Sequence, residues 1–179
     1  MKLSHFLVPL ILLAVLLAAY QHFSHAQRQQ QAAAFNPSAV PPLDLLLVTD
    51  AVKEKRFNLK EMRGQKVLVN FFGSWCVPCV AELPMLQAIA RRHALAIVGV
   101  AYNDNVDAVL GFFERYGNAY ARVVLDVNGK TANAWGVRAV PESFLIDEQG
   151  NLLAYYPGPL TEEVWATNFA RWVPPAVGN

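Results

Sequence analysis

From Phe6 to Tyr20 the chain reads FLVPLILLAVLLAAY, fifteen residues without a charge, preceded by Lys2 and the amino terminus. A run of this kind has no polar face to turn outward, which argues against a buried core helix and for an export segment. Two forms stay open. Small residues at Ser24-His25-Ala26 stand where a signal peptidase reads a cleavage site, whereas extension through Gln21 and His22 to Phe23 approaches the ~20 residues a bilayer anchor needs. Either form places the rest of the chain outside the cytoplasm, with Lys2 on the retained side. The polar tract from Gln27 and the prolines Pro37, Pro41 and Pro42 then read as an extended spacer. The expected organisation is a signal or anchor over 1–26, a linker over 27–42, a domain over 43–173 and a tail over 174–179.

Within that domain, apolar runs of strand and helix length alternate. Lys66-Val67-Leu68-Val69-Asn70-Phe71-Phe72 lacks polar alternation, as expected of a central strand covered on both faces. A helix is predicted from about Cys76 to His93, and a second buried strand over Leu95 to Ala101. Together they form a right-handed parallel crossover. A helix over Asp107–Tyr116, a strand over Arg122–Leu125 and a short helix over Lys130–Trp135 follow. Ser143–Asp147 and Asn151–Tyr156, joined by Glu148-Gln149-Gly150, read as a hairpin. Thr161 is an N-cap for a closing helix to about Trp172, with Glu162 and Glu163 in its first turn. The predicted fold class is α/β, a mixed sheet with helices on both faces.

Composition narrows the chemistry. Of 179 residues, 54% are hydrophobic and 16% charged, and Lys+Arg 15 against Asp+Glu 14 leaves a formal charge of +1. The charged share is below the ~25% of ordinary domains, and no basic field is available for a phosphate backbone, so nucleic acid is not an expected partner. Two cysteines are too few for a disulfide scaffold or a four-thiolate metal site. No metal and no cofactor are expected.

The two stand together in Trp75-Cys76-Val77-Pro78-Cys79, where the first strand turns into its helix. Closing so short a ring stabilises a fold by only about 2 kcal/mol, against nearly 5 for a ~100-residue loop. Val80 follows the second cysteine, so the C-x-x-C-H pattern of haem attachment is absent. What remains is redox chemistry. At the helix N-terminus Cys76 meets unpaired N–H groups and the positive dipole end, which favour its thiolate. It is the candidate attacking thiol, and Cys79, one turn further in, the resolving one.

At about 100° per residue, Leu83, Leu86, Ile89 and Ala90 share a stripe with Cys79, and Glu82 falls inside it at about −60°. Arg91 and Arg92 lie on the opposite face. A carboxyl in that setting is desolvated, its pKa rises, and it can give or take a proton near neutral pH. The plainer alternative is a first-turn complement to the helix dipole. Val140-Pro141 precedes a strand directly, a place where proline is tolerated.

These segments carry a resemblance. The strand, the Trp75–Cys79 motif, Pro84 and the late Val140-Pro141 resemble the thioredoxin fold. Val69–Cys76, Gly99–Asp104, Tyr116–Tyr120 and Gly136–Asp147 resemble more closely the membrane-anchored thiol:disulfide interchange proteins of cytochrome c maturation, the CcmG or DsbE family. The resemblance covers about Leu43 to Trp172.

It implies a reductase on the periplasmic side of the bacterial inner membrane, acting on the C-x-x-C-H disulfide of apocytochrome c or on a maturation partner thiol protein. A membrane electron donor of the DsbD or CcdA type would recharge it. It further implies that Pro141 is cis and faces the disulfide, that Trp75 and Val140 flank the substrate groove, and that Glu82 and Glu142 are acidic residues near the disulfide. Thioredoxins carry a buried Asp six residues before the first cysteine. Asn70 stands there in this chain and cannot take a proton, which leaves Glu82, with Glu142, as base for Cys79. Phe72 stands where many relatives have Trp, a change of packing. Remaining alternatives are a general exported reductase of the TlpA or ResA kind, a disulfide-forming oxidase, and a non-catalytic binding module.

Overall fold

The computed structural model describes residues 15–19, 40–48 and 55–176. The chain divides into two units, Met1–Asn36 and Pro37–Asn179. In the first, residues 15–19 are helical with exposed side chains. No helix among the described residues is long and apolar enough to cross a membrane. The predicted signal or anchor lies otherwise outside the described residues, as do most of the linker and the last residues of the tail.

The second unit is built on a seven-stranded mixed sheet. In chain order its elements are β1 (Asp44–Leu47), β2 (Arg56–Asn58), β3 (Val67–Phe72), α1 (Val77–His93), β4 (Ala96–Tyr102), α2 (Val106–Tyr116), β5 (Arg122–Asp126), α3 (Lys130–Ala134), β6 (Glu142–Ile146), β7 (Leu152–Pro157) and α4 (Glu162–Asn168). Short 3-10 turns occupy Leu59–Met62 and Ala170–Trp172. The spatial order is β2-β1-β5-β4-β3-β6-β7. β3, β4 and β5 run parallel, while β6 is antiparallel to β3 and β7 to β6. Every residue of β3 is buried, as its unbroken apolar run requires.

Side chains alternate across the pleat, and that alternation sorts the core into two halves. Leu68 and Phe72 of β3 pack with Leu83, Leu86 and Ile89 of α1, Val109 and Phe112 of α2, and Trp165 and Phe169. On the other face Phe71 meets Trp135 and Phe144, with ring centroids 5.5 and 5.6 Å away. Asn70, at even spacing from Leu68 and Phe72, therefore points toward α1. Opposite it, Gly99 of β4 leaves room for the Tyr120 ring: a Cβ there would lie 2.9 Å from it. The ring stacks on Phe72 at 4.9 Å and 19°.

The predicted elements form with ends displaced by a residue or two. Two short strands were not expected. β1 lies in Leu43–Val48, an apolar run with little alternation to mark it, and β2 has three residues; both owe their form to antiparallel pairing, β1 with β5 and β2 with β1. The closing helix ends earlier than predicted, at Asn168, and a 3-10 turn continues the path to Trp172.

Helix α1 carries Arg91 and Arg92 in its last turn, cations suited to the negative dipole end. It stops at Ala94, which adopts left-handed φ 49 and ψ 31. A Cβ makes that conformation costly, and glycine removes the penalty. Ala94→Gly should raise unfolding free energy by about 1 kcal/mol, read as an increase of a few degrees in Tm. An unchanged or lowered Tm would show that this helix end carries no such penalty.

Candidate active site

At the carboxyl end of β3 the chain turns at Gly73, whose carbonyl accepts from the Cys76 N–H at 3.1 Å. Cys76 is the N-cap of α1, and its sulfur accepts from the Cys79 N–H at 3.2 Å. Pro78 occupies the first turn, where its missing N–H costs no intrahelical bond. Cys76 and Cys79 form a disulfide with Cα atoms 5.3 Å apart. Both residues are nearly covered, at 4% and 1% exposure, while Trp75 at 57% and Val77 at 79% stand out into solvent.

Two carboxylates hold the loops on either side. Asp104, just beyond β4, accepts from the Ser74 N–H at 2.6 Å, the Ser74 hydroxyl at 3.0 Å and the Asn105 N–H at 2.9 Å, fixing the residue that leads into the cysteines. Across the disulfide, the Val140–Pro141 peptide bond is cis, and the Val140 carbonyl oxygen lies 3.6 Å from Cys76 Sγ. That loop is held by Glu142, whose Oε1 accepts from the N–H groups of Arg138 and Ala139 at 3.1 and 3.2 Å. Its Oε2 accepts from the Tyr155 hydroxyl at 2.8 Å.

Glu82 stands apart from these. One turn beyond Cys79 on the buried stripe of α1, it is 1% exposed. Its Oε1 accepts from Asn70 Nδ2 and its Oε2 from the Leu160 N–H, both at 2.9 Å. Asn70 Nδ2 also donates to Ser143 Oγ at 3.0 Å, and Asn70 Oδ1 accepts from the Tyr120 hydroxyl at 2.8 Å. Burial raises the Glu82 pKa from 4.5 to about 7, against the pull of its two hydrogen bonds. Burial, then the nearby Glu82 charge, push the Tyr120 hydroxyl well above its ordinary value.

The site thus gathers Trp75, Cys76, Cys79, Val140 and Pro141 at one end of β3, with Glu82 beneath on the α1 face. Glu142 is placed differently from Glu82. It neighbours Ser143, which faces Asn70, so by strand alternation it occupies the other face of the sheet. Its hydrogen bonds brace the cis-proline loop. Sequence reasoning missed Asp104, Tyr120 and Ser143 as participants. A polar Asn70 inside an apolar strand and Glu82 on the buried stripe of α1 were the visible signs that a buried network exists.

The Glu82 carboxyl makes stability depend on pH in a defined direction. Unfolded, the group loses its proton near 4.5; folded, it keeps it to about 7. Between these values the native state binds more protons, so stability falls as pH rises, by roughly 3 kcal/mol at most, and is level above. Urea denaturation of Glu82→Gln and wild type should therefore differ increasingly in the variant's favour from pH 5 to pH 8, by about 2 kcal/mol. A difference independent of pH would place the Glu82 pKa near its unfolded value.

Comparison with known proteins agrees with this geometry. The Redoxin family model matches residues 30–169. The chain is 38% identical to the thiol:disulfide interchange protein CycY of Rhizobium leguminosarum, over 73% of this chain and 66% of that protein. It is 30% identical to the thiol:disulfide interchange protein DsbE of Pasteurella multocida, over 88% of each. Several other curated relatives are matched over only about half to two thirds of their own length. Among solved structures, a secreted thiol-disulfide isomerase of Corynebacterium glutamicum superposes with a TM-score of 0.63 at 25% identity, over 71% of this chain and 81% of that one. With a thioredoxin-like sheet and a Cys-x-x-Cys disulfide capping its first long helix, the chain belongs to the redoxin family, among the thiol:disulfide interchange proteins of the DsbE, CycY and HelX kind.

Proposed function

We propose that the domain is an exported reductant for cytochrome c biogenesis, delivering two electrons at a time to the C-x-x-C-H disulfide of apocytochrome c or to a maturation partner thiol protein. The observation that carries this reading is the placing of Cys76 at the tip of α1, under the cis-proline loop, with a carboxyl that titrates near neutrality one turn behind Cys79.

In the dithiol form the helix N-terminus favours a thiolate at Cys76. That thiolate attacks one sulfur of the client disulfide, forming the mixed disulfide and releasing the client's other sulfur as thiolate, which takes up a proton. Cys79 then gives its proton to Glu82, and its thiolate attacks Cys76 Sγ. The second client sulfur leaves as a thiolate and takes the proton held by Glu82, and the enzyme is left with the Cys76–Cys79 disulfide. Two electrons have passed to the client, whose two protons come one from solvent and one, by way of Glu82, from Cys79; a membrane dithiol carrier of the DsbD or CcdA type restores the starting state.

The N-terminal segment 1–26 supports a location on the periplasmic side of the inner membrane, as an anchor or, after cleavage, as the signal of a soluble protein. With residues 27–42 as the lead, a tether would raise the local concentration of the thiol near membrane-bound partners. An exported compartment oxidises cysteines, so a haem-attachment site that must be dithiol needs a local reductant.

Full-length Cys79→Ser should accumulate a mixed disulfide through Cys76 with an apocytochrome or a maturation thiol protein, identified by mass spectrometry of reducible adducts. Adducts spread over unrelated exported proteins would point to a general reductase, and no adduct would remove the catalytic assignment. Glu82→Gln should change the pH profile of Cys79 alkylation in reduced protein between pH 6 and 8. An unaltered profile would free Glu82 from proton transfer.

A further inference from the structure

Beside Cys76, α1 and α2 part to leave a cleft of ≈ 340 Å³. Val77 and Val80 of α1 form one wall, Phe112 and Tyr116 of α2 the other, and Cys76 stands at its rim. Five large hydrophobic side chains of the domain are exposed among the described residues, and three of them, Trp75, Val77 and Tyr116, line this cleft. Apolar side chains gathered around a reacting sulfur mark a contact surface rather than scattered surface residues.

Gly111 gives the cleft its particular meaning. It lies inside α2, where glycine is the weakest ordinary helix former. It does not adopt positive φ, so the backbone does not require it. A Cβ at this position would meet nothing within 4 Å, so packing does not require it either. The helix forgoes stability at a position that lines the cleft beside Cys76. The cleft also carries a charge. Arg115 lines it and, among the described residues, takes part in no ion pair. Its guanidinium lies 6.0 Å from the centre of the Tyr116 ring.

We infer that Gly111 is left bare so that the cleft can seat a large apolar side chain of the client polypeptide next to the client's reacting cysteine, with Arg115 favouring an acidic residue beside it. The occupant is a polypeptide because any chain joined to Cys76 by a mixed disulfide has its neighbouring residues over this cleft. The inference rests on the reading of the domain as a reductant of protein disulfides.

The test uses the full-length dithiol protein and synthetic peptides closed by one internal Cys-x-x-Cys disulfide. The peptides differ only before the first cysteine, as Phe against Gly and, one residue further, Glu against Lys. Wild type should reduce the Phe peptide about tenfold faster than the Gly peptide, a ratio that one filled apolar pocket supplies. In Gly111→Leu that ratio should fall to about twofold or less, with Tm no lower than wild type because leucine is the better helix former. Arg115→Glu should reverse a Glu-over-Lys preference of about two- to fivefold. Equal rates for the Phe and Gly peptides in wild type, or a tenfold ratio that survives in Gly111→Leu, would overturn the inference and leave the reductant reading standing. If wild type reduces neither peptide, the reductant reading itself falls and the inference with it.

Discussion

Burying a carboxyl group in an apolar core is costly unless donors meet it, and the site depends on how that requirement is satisfied around Glu82. Asn70 is the hinge of the solution. It sits fully buried in the central strand, and its amide nitrogen donates to both Glu82 and Ser143 while its oxygen accepts from Tyr120. The orientation of that amide follows from its partners, since an amide oxygen turned toward Glu82 would set two acceptors together. With Tyr120 as donor at the far end, the chain of hydrogen bonds has one consistent direction. Two donors do not fully offset the desolvation, and the residual cost is what lifts the Glu82 pKa to about 7.

The same pleat that points Asn70 and Ser143 toward α1 sends the next residue, Glu142, to the opposite face. The two glutamates that the resemblance places near the disulfide thus have separate surroundings. Glu82 meets two donors in the depth of the core. Glu142 meets three, two of them the amides of the loop that carries Val140 and Pro141. Asp104 likewise meets three donors, two of them from Ser74. Hydrogen bonds to a charged acceptor contribute about 1.5–3 kcal/mol each, enough to fix the two loops that bracket the cysteines.

Much of this was legible in the sequence because each feature was local. Strand β3 announced itself by an unbroken apolar run, α1 by its stripe, and the inward position of Glu82 by counting around the helix from Cys79. Features set by long-range pairing were not legible. β1 and β2 are defined by antiparallel partners, and Tyr120 reaches Asn70 across a bare Gly99 fifty positions along the chain from it. Glu142 shows the limit most directly. The resemblance placed it near the disulfide, but which face of β6 it occupied depended on register. A shift of one residue would have put it on the α1 face in place of Ser143.

Chemistry at the cysteines follows from this division of labour. Thiol exchange needs a nucleophile that is ionised and a resolving thiol that loses its proton only when called on. In the proposed exchange the helix N-terminus would serve the first need through backbone groups that do not titrate. Cys79, further into the helix and 1% exposed, has no comparable help from the dipole. A base for it must lie on the same buried face and hold a pKa close to the working pH. Glu142 is excluded by its side of the sheet and Asn70 by its chemistry. Glu82 meets both conditions because its donors are too few to cancel its burial. In the proposed exchange the apolar core around α1 would serve the chemistry as well as the fold, since the desolvation that lifts the Glu82 pKa to about 7 is also what would suit it to accept a proton there.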